Sequence, residues 1–303
     1  YNGLLSGVSL EGDRFFYPNP LESVGQHSRS AWFGCACCPS NVCRFIPSVP
    51  GYVYAQKDEK LYVNLFMQSE SELTIQKNPV HITQKTDYPW NGDVTMELTP
   101  KKAKAFTLMI RIPGWAKNQP VPSDLYSYVN PQTEPVKLMV NCVETPYAIG
   151  ADGYIALNRK WKKGDKVSIS FPMSVKRVKA HELVEDDLGK VSLERGPIVY
   201  CLEWPDNDEK VLNTVLEDNV SVSATSYMPN ELKGIVRLEA NALSTKKGAN
   251  QEIIRVPKAI KAIPFYAWAN RGQGEMAVWI PRTVEASKPE PLPTISTKAK
   301  VSA

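Results

Sequence analysis

The chain has 303 residues, 43% apolar and 22% charged, with 24 Pro, 17 Gly and 6 Cys; at about 150 residues per domain it predicts two domains, each able to bury a core without disulfide staples. Its net charge of +4 comes from 36 basic and 32 acidic residues mixed along the chain, which provides no basic stripe for phosphates and argues against nucleic acid as a partner. No run approaches the roughly 18 to 20 apolar residues of a helical membrane span, and Tyr1-Asn2-Gly3-Leu4-Leu5 lacks a basic n-region, so no membrane association or signal peptide is expected.

Residues 1 to 50 stand apart. They hold four of the six cysteines and two Phe-containing segments, and Val42-Cys43-Arg44-Phe45-Ile46, stopped by Pro47 and Pro50, predicts a short helix. From about residue 51 the pattern is β. Gly51–Ala55 and Leu61–Phe66, separated by Lys57-Asp58-Glu59-Lys60, predict a hairpin. Residues 72–75, 94–98, 106–112 and 136–140 alternate apolar and polar side chains at period two, as strands with one dry face do. Residues 152–157 and 167–171, joined through Lys163-Gly164-Asp165-Lys166, predict strand, turn and strand, closing a first β-sandwich over 51–174. Strands near Val175 and over 191–193, 196–202, 235–238, 263–268 and 276–280 predict a second sandwich over 175–285. The remaining 286–303 reads as a linker or tail. Tyr1 opens without a Met and the end is rich in Pro, Lys, Ser and Thr, so the sequence is read as a piece of a longer chain.

The segment with chemical potential is Trp32-Phe33-Gly34-Cys35-Ala36-Cys37-Cys38-Pro39-Ser40-Asn41, three thiols in four positions, followed by Cys43. Thiolates are natural zinc ligands, and zinc holds a coordinating thiol deprotonated. A helix starting near Pro39 would place Cys37 and Cys38 at its N-terminus, where free N–H groups and the positive dipole end favour a thiolate. In an extended chain Cys35 and Cys37 face one side and Cys38 the other, so joint ligation by Cys37 and Cys38 requires a bend. The spacing of two CxxC pairs is absent, so a tetrahedral site needs further ligands from elsewhere. The same residues also suit buried structural cysteines or a disulfide. Cys142 and Cys201, alone in strand-like runs, are expected in the core.

This motif, with Tyr1–Gly7, Phe15-Phe16-Tyr17-Pro18-Asn19-Pro20-Leu21-Glu22, Asp87–Gly92, Arg111–Trp115, Gly153–Ile155 and Glu194–Tyr200, resembles the β-L-arabinofuranosidase family, glycoside hydrolase family 127 and relatives, over about residues 1 to 282. The resemblance implies that residues 1–50 are the end of an (α/α)6 catalytic barrel preceding the two sandwiches, the rest of the barrel being the partner missing from this sequence. It implies a retaining exo-glycosidase acting on a glycan, with Cys37 as a zinc-bound nucleophile and Cys38 as a zinc ligand. It also implies that the acid/base Glu and the other ligands, a Glu and a Cys, lie upstream, so this piece alone is expected to be inactive.

Tyr1 and Glu22 are candidate pocket residues, although Glu22 also suits a solvated or capping role. His27 is a candidate ligand or sugar contact or a plain loop residue. Trp90 and Trp115, flanked by Pro and Gly, suit turn packing more than a sugar platform. His81 and His181 have no acidic or thiol neighbours at ligand spacing and are expected on the surface. Two other classes fit the sequence: a non-catalytic glycan-binding or structural sandwich module, and a redox or structural zinc site. Crowded thiols favour a reducing compartment, but bound metal protects thiols from oxidation, and the periplasm is the expected location.

Overall fold

A computed structural model describes residues 1–292; the tail expected over 286–303 lies, from residue 293, outside the described residues. The fold is mainly β. The described residues divide into two compact units, one of residues 1–38, 177–194 and 198–292, the other of residues 39–176 and 195–197. Among the described residues no helix is long and apolar enough to cross a membrane.

The unit containing residues 39–176 holds two sheets. The first runs in the order Val143–Glu144, Lys137–Val140, Asp165–Ser170, Asp93–Pro100, Asn78–Thr86 and Ser69–Ile75. The second runs Tyr154–Trp161, Lys104–Arg111, Lys60–Val63 and Tyr54–Lys57, with Lys60–Val63 parallel to Lys104–Arg111. Period two fixes which face is dry. Val80, Ile82, Val94, Met96, Leu98, Val167 and Ile169 are buried in the first sheet; Leu61, Val63, Phe106, Leu108, Ile110 and Trp161 are buried in the second. Loop aromatics extend this core: Phe171 packs against Phe66 and Trp115 with ring centroids 5.0 and 5.7 Å away.

The expected hairpin at 57–60 forms, with Lys57 opposite Lys60 across a two-residue loop. The expected strand, turn and strand form as Tyr154–Trp161 and Asp165–Ser170, which lie in different sheets. Asp165 accepts hydrogen bonds from the Lys162 backbone at 2.8 Å and Asn141 Nδ2 at 2.9 Å, and the Gly164 N–H donates to Leu98. Cys142 is exposed rather than in the core. It is the second residue of a two-residue loop with Asn141, both at positive φ (65° and 52°), as a type I′ turn requires. His81 has an acidic neighbour after all, because the hairpin register sets it opposite Glu72, whose Oε1 lies 2.8 Å from its Nδ1.

The other unit is built on the sheet path Thr214–Val215, Leu238–Lys247, Ile253–Pro264, Ile198–Glu203, Lys190–Arg195 and Val175–Ala180. Strand Glu275–Ala277 joins Ile198–Glu203, and on its other side it pairs with Glu22–Val24, from the first 50 residues. Expected strand 235–238 is displaced, with the strand proper beginning at Leu238; Phe265–Ala267 is a 3-10 turn, so the expected strand over 263–268 ends at Pro264.

Two predictions follow from this packing. A Cβ on Gly92 would lie 1.9 Å from the Phe171 carbonyl oxygen, on backbone whose N–H already bonds Gly92. Gly92→Ala should therefore cost about 2–3 kcal/mol of stability in urea unfolding. Glu275 is partly buried, which by itself raises its pKa; N–H groups of Val211 and Leu212 at 2.8 and 3.1 Å and Lys210 Nζ at 3.0 Å outweigh this and lower it below the ordinary carboxylate value. A depressed pKa contributes stability that is present above the unfolded-state value and lost as pH falls through the folded one. Glu275→Gln should thus cost about 1–2 kcal/mol near neutral pH and little at the acid end, flattening the acid limb of stability measured against pH.

Candidate active site

The site is assembled by residues 1–38. Their segments are tied together first. Ser6 Oγ donates to Asn19 Oδ1 at 2.7 Å, Asn19 Nδ2 to the Gly3 carbonyl at 3.1 Å, and the Phe16 N–H to the Gly7 carbonyl at 3.0 Å. Phe15 and Ser30 bond through their backbones in both directions, at 2.8 and 2.9 Å. That register sets two edge-to-face pairs side by side, Phe15 on Trp32 and Tyr17 on Phe33, with centroids 6.0 and 5.6 Å apart. The chain leaving Phe33 carries the cysteines, so Tyr17 is delivered beside them.

The assembly is then fixed to the C-terminal strands. Arg29 is buried and donates to the Trp268 carbonyl at 2.7 Å and the Ser6 carbonyl at 2.9 Å. Its guanidinium sits 4.4 Å from the Phe16 ring centroid, and Phe16 stacks on Trp268 at 5.0 Å. Burial lowers the Arg29 pKa to about 10, with Glu203 opposing, so it stays charged at neutral pH. Glu203 in turn is buried, accepts the Ala269 N–H at 2.7 Å and pairs with Arg271, which also holds Asp206 at 2.6 Å.

An α-helix spans Cys37–Phe45, two residues earlier than Pro39 suggested, with a 3-10 turn over Ile46–Tyr52 after it. Pro39 is tolerated because it lies in the first turn, where backbone N–H groups have no intrahelical acceptor. Gly34 and Cys35 form a bend and Ala36 a turn. The bend brings the thiols together: Cys35 Sγ and Cys38 Sγ each lie 3.9 Å from Cys37 Sγ. Cys35 and Cys37 are exposed and Cys38 half-buried. The thiols, Cys37 foremost and then Cys35 and Cys38, raise the Tyr17 phenol above its ordinary value, because charge on sulfur opposes a second anion, and a hydrogen bond to Cys37 acts in the same direction.

Two thiolates sharing a tetrahedral zinc at Zn–S distances of about 2.3 Å are about 3.8 Å apart. The 3.9 Å spacing of Cys37 and Cys38 fits that edge, as does that of Cys35 and Cys37. Among the described residues no group of three or more His, Cys, Asp or Glu is arranged to hold a metal ion.

The other candidates are not gathered here. Glu22 is on the strand Glu22–Val24 and pairs with Lys288. Tyr1, 45% exposed, stands at the N-cap of helix Asn2–Ser6, near Tyr266. His27 is half-buried with Nδ1 lacking a partner. Trp115 is buried against Phe171. Cys43 is exposed and Cys201 fully buried. Tyr17 and Arg29 were not singled out from sequence. Tyr17 stood within a quoted motif segment, whereas nothing marked Arg29 as the buried arginine.

This arrangement, taken along the chain, matches one enzyme class, the glycoside hydrolases. Residues 1–51 match the GH127 catalytic domain of β-L-arabinofuranosidases, 60–173 the GH127 middle domain and 175–281 the family 127 C-terminal domain. The chain belongs to glycoside hydrolase family 127. It is 30% identical to a non-reducing end β-L-arabinofuranosidase of Bifidobacterium longum subsp. longum, over 92% of this chain and 44% of that one. A solved GH127 β-arabinofuranosidase superposes with a TM-score of 0.92 at 46% identity, over 96% of this chain and 45% of that one. A GH127 β-L-arabinofuranosidase from Geobacillus stearothermophilus T6 gives 0.83 at 36% identity, over 93% and 44%. The chain thus spans a little under half the length of these relatives.

Replacing Arg29 with Met keeps much of its bulk but leaves two buried carbonyls without their donor and removes a cation that acts on Glu203, which keeps its pairing with Arg271. Arg29→Met should cost about 2–4 kcal/mol in urea unfolding.

Proposed function

We propose that this chain is the C-terminal part of a retaining exo-glycoside hydrolase that removes terminal β-L-arabinofuranose or a closely related sugar, with Cys37 as nucleophile. The observation that carries the reading is Cys37 at the first position of a helix, exposed, with two thiols 3.9 Å from its sulfur. The named activities of the relatives support the sugar.

In this reading Cys37 Sγ attacks the anomeric carbon as the glycosidic C–O bond breaks, and the leaving oxygen takes a proton from a general acid. Water, deprotonated by the same group, then cleaves the S–C bond; two inversions return the original anomeric configuration. Cys37 and Cys38 would hold a zinc ion, which when bound keeps the thiol ionised while reducing its basicity. Tyr17 orients the nucleophilic sulfur through its hydrogen bond. The general acid and the remaining ligands are assigned to residues outside this sequence, on an (α/α)6 barrel of which residues 1–50 are the end, followed by β-sandwiches over 51–174 and 175–285. The chain by itself is then inactive. Tyr1 and Glu22 take, at most, an outer place in sugar binding, and the periplasm remains the proposed location.

A second reading, glycan binding without catalysis, draws on an open polar cleft of about 400 Å³ lined by Gln68, Lys85, Asp87, Asn91 and Asp93 among others.

The two readings separate in the complete polypeptide. Cys37→Ser should lower kcat on a β-L-arabinofuranoside by about a thousandfold or more, with circular dichroism unchanged, while Cys43→Ser stays near the parent rate. Undiminished hydrolysis by Cys37→Ser sinks the first reading.

A further inference from the structure

The ligand and nucleophile roles account for Cys37 and Cys38 and leave Cys35 without one. We propose that Cys35 is the resolving cysteine of a reversible redox modification site. When Cys37 is oxidised, Cys35 captures it as a Cys35–Cys37 disulfide. The inference rests on the reading of Cys37 as the reactive sulfur, and its test reads mass rather than hydrolysis.

Geometry selects the pair. Cys37 Sγ has two thiol neighbours at the same distance, 3.9 Å. Adjacent residues joined by a trans peptide have Cα atoms about 3.8 Å apart, below the roughly 4.4 Å minimum of ordinary disulfides, so a Cys37–Cys38 bond strains the backbone. Cys35 and Cys37 are two residues apart, across the bend at 34–36, and a bent three-residue segment falls within the disulfide range. Closing the bond needs their sulfurs to approach from 3.9 Å to about 2.05 Å, a matter of side-chain torsion in a loop. Access is open as well, since Cys35 and Cys37 are both exposed.

The chemistry balances with a hydroperoxide as oxidant. The Cys37 thiolate attacks one peroxide oxygen, the O–O bond breaks, and the alcohol or water leaves with a proton, so sulfur has given two electrons and become a sulfenic acid. Cys35 sulfur then attacks Cys37 sulfur; the S–S bond forms, the S–O bond breaks, and hydroxide leaves as water with the Cys35 proton. An external dithiol reverses the step. Without Cys35, the sulfenic acid is left to a second peroxide and becomes sulfinic acid, which a dithiol does not reduce.

The test uses the intact chain stripped of metal, treated with hydrogen peroxide, alkylated with iodoacetamide and mapped by peptide mass spectrometry. The expected product is a peptide lacking two hydrogens, with Cys35 and Cys37 both protected from alkylation and Cys38 labelled, and dithiothreitol should return both thiols. Cys35→Ser should instead carry two oxygens on Cys37 that dithiothreitol leaves in place, whereas Cys38→Ser should still form the link. Mapping of the unsubstituted chain decides the matter even if a variant fails to fold. A Cys37–Cys38 link, or full recovery of Cys37 in Cys35→Ser after reduction, would overturn the proposal. Failure of Cys37 to support hydrolysis in the complete polypeptide is a separate result, which leaves the mapped disulfide standing.

Discussion

A guanidinium buried between two backbone carbonyls decides where the cysteine motif goes. Arg29 lies six residues upstream of Cys35, and its donors reach Ser6 on one side and Trp268 on the other. One side chain thus joins three distant stretches of sequence. A buried charge of this kind carries a desolvation cost that its surroundings must offset. Two of its nitrogens bond carbonyls while Nε has no hydrogen-bond partner, and the charge is further offset by the aromatic face of Phe16 and by Glu203, whose own charge is held by Arg271. Stacking of Phe16 on Trp268 adds apolar contact to the same joint. The strand pairing of Glu22–Val24 with Glu275–Ala277 then sets the rotation that a single side chain cannot fix.

With the stem fixed, the thiols converge through local backbone rules. A Cys-x-Cys-Cys run in an extended conformation would send its third sulfur to the opposite face. The bend at 34–36 and immediate entry into helix at Cys37 replace that alternation with a turn, and the three sulfurs collect around Cys37. Pro39 contributes without breaking the helix, because it falls where an N–H would have no acceptor.

How much of this was legible in sequence depends on how faithfully side-chain polarity reported burial. Strands whose inward positions are all apolar, such as 94–98 and 136–140, were read with the right face, whereas 106–110, read with one dry face, is buried on both. Strand Asn78–Thr86 was missed because its inward row ends in Gln84, fully buried and bonded to the Tyr54 hydroxyl at 2.9 Å, which breaks the alternation on paper. Most of Ile253–Pro264 was missed for a related reason. Its inward row includes Lys258, whose ammonium reaches the Lys210 carbonyl and Thr214, while Ile253 and Ile254 point outward. Cys142 was misplaced because its turn lacks the Gly that marks type I′ loops. In the site, the cysteines were visible as a cluster in sequence, but their mutual spacing was not, since it comes from a bend that no single residue announces. Arg29 was invisible because long-range partners at positions 6, 203 and 268 leave no local pattern.

The 3.9 Å spacing on either side of Cys37 imposes a choice on that sulfur. It equals the edge of a thiolate-ligated tetrahedron toward Cys38, and the approach distance of a disulfide partner toward Cys35. The two states exclude each other, because a sulfur bonded to sulfur is no longer an anion able to ligate or to attack carbon. On the proposed reading, occupancy by a metal would oppose oxidation by mass action, and loss of the metal would expose the same electron pair to peroxide. A carboxylate nucleophile would face no such choice. On the proposed reading, recruiting sulfur to glycoside chemistry would bring the redox alternative with it, and a second thiol two residues away would make that alternative reversible rather than terminal.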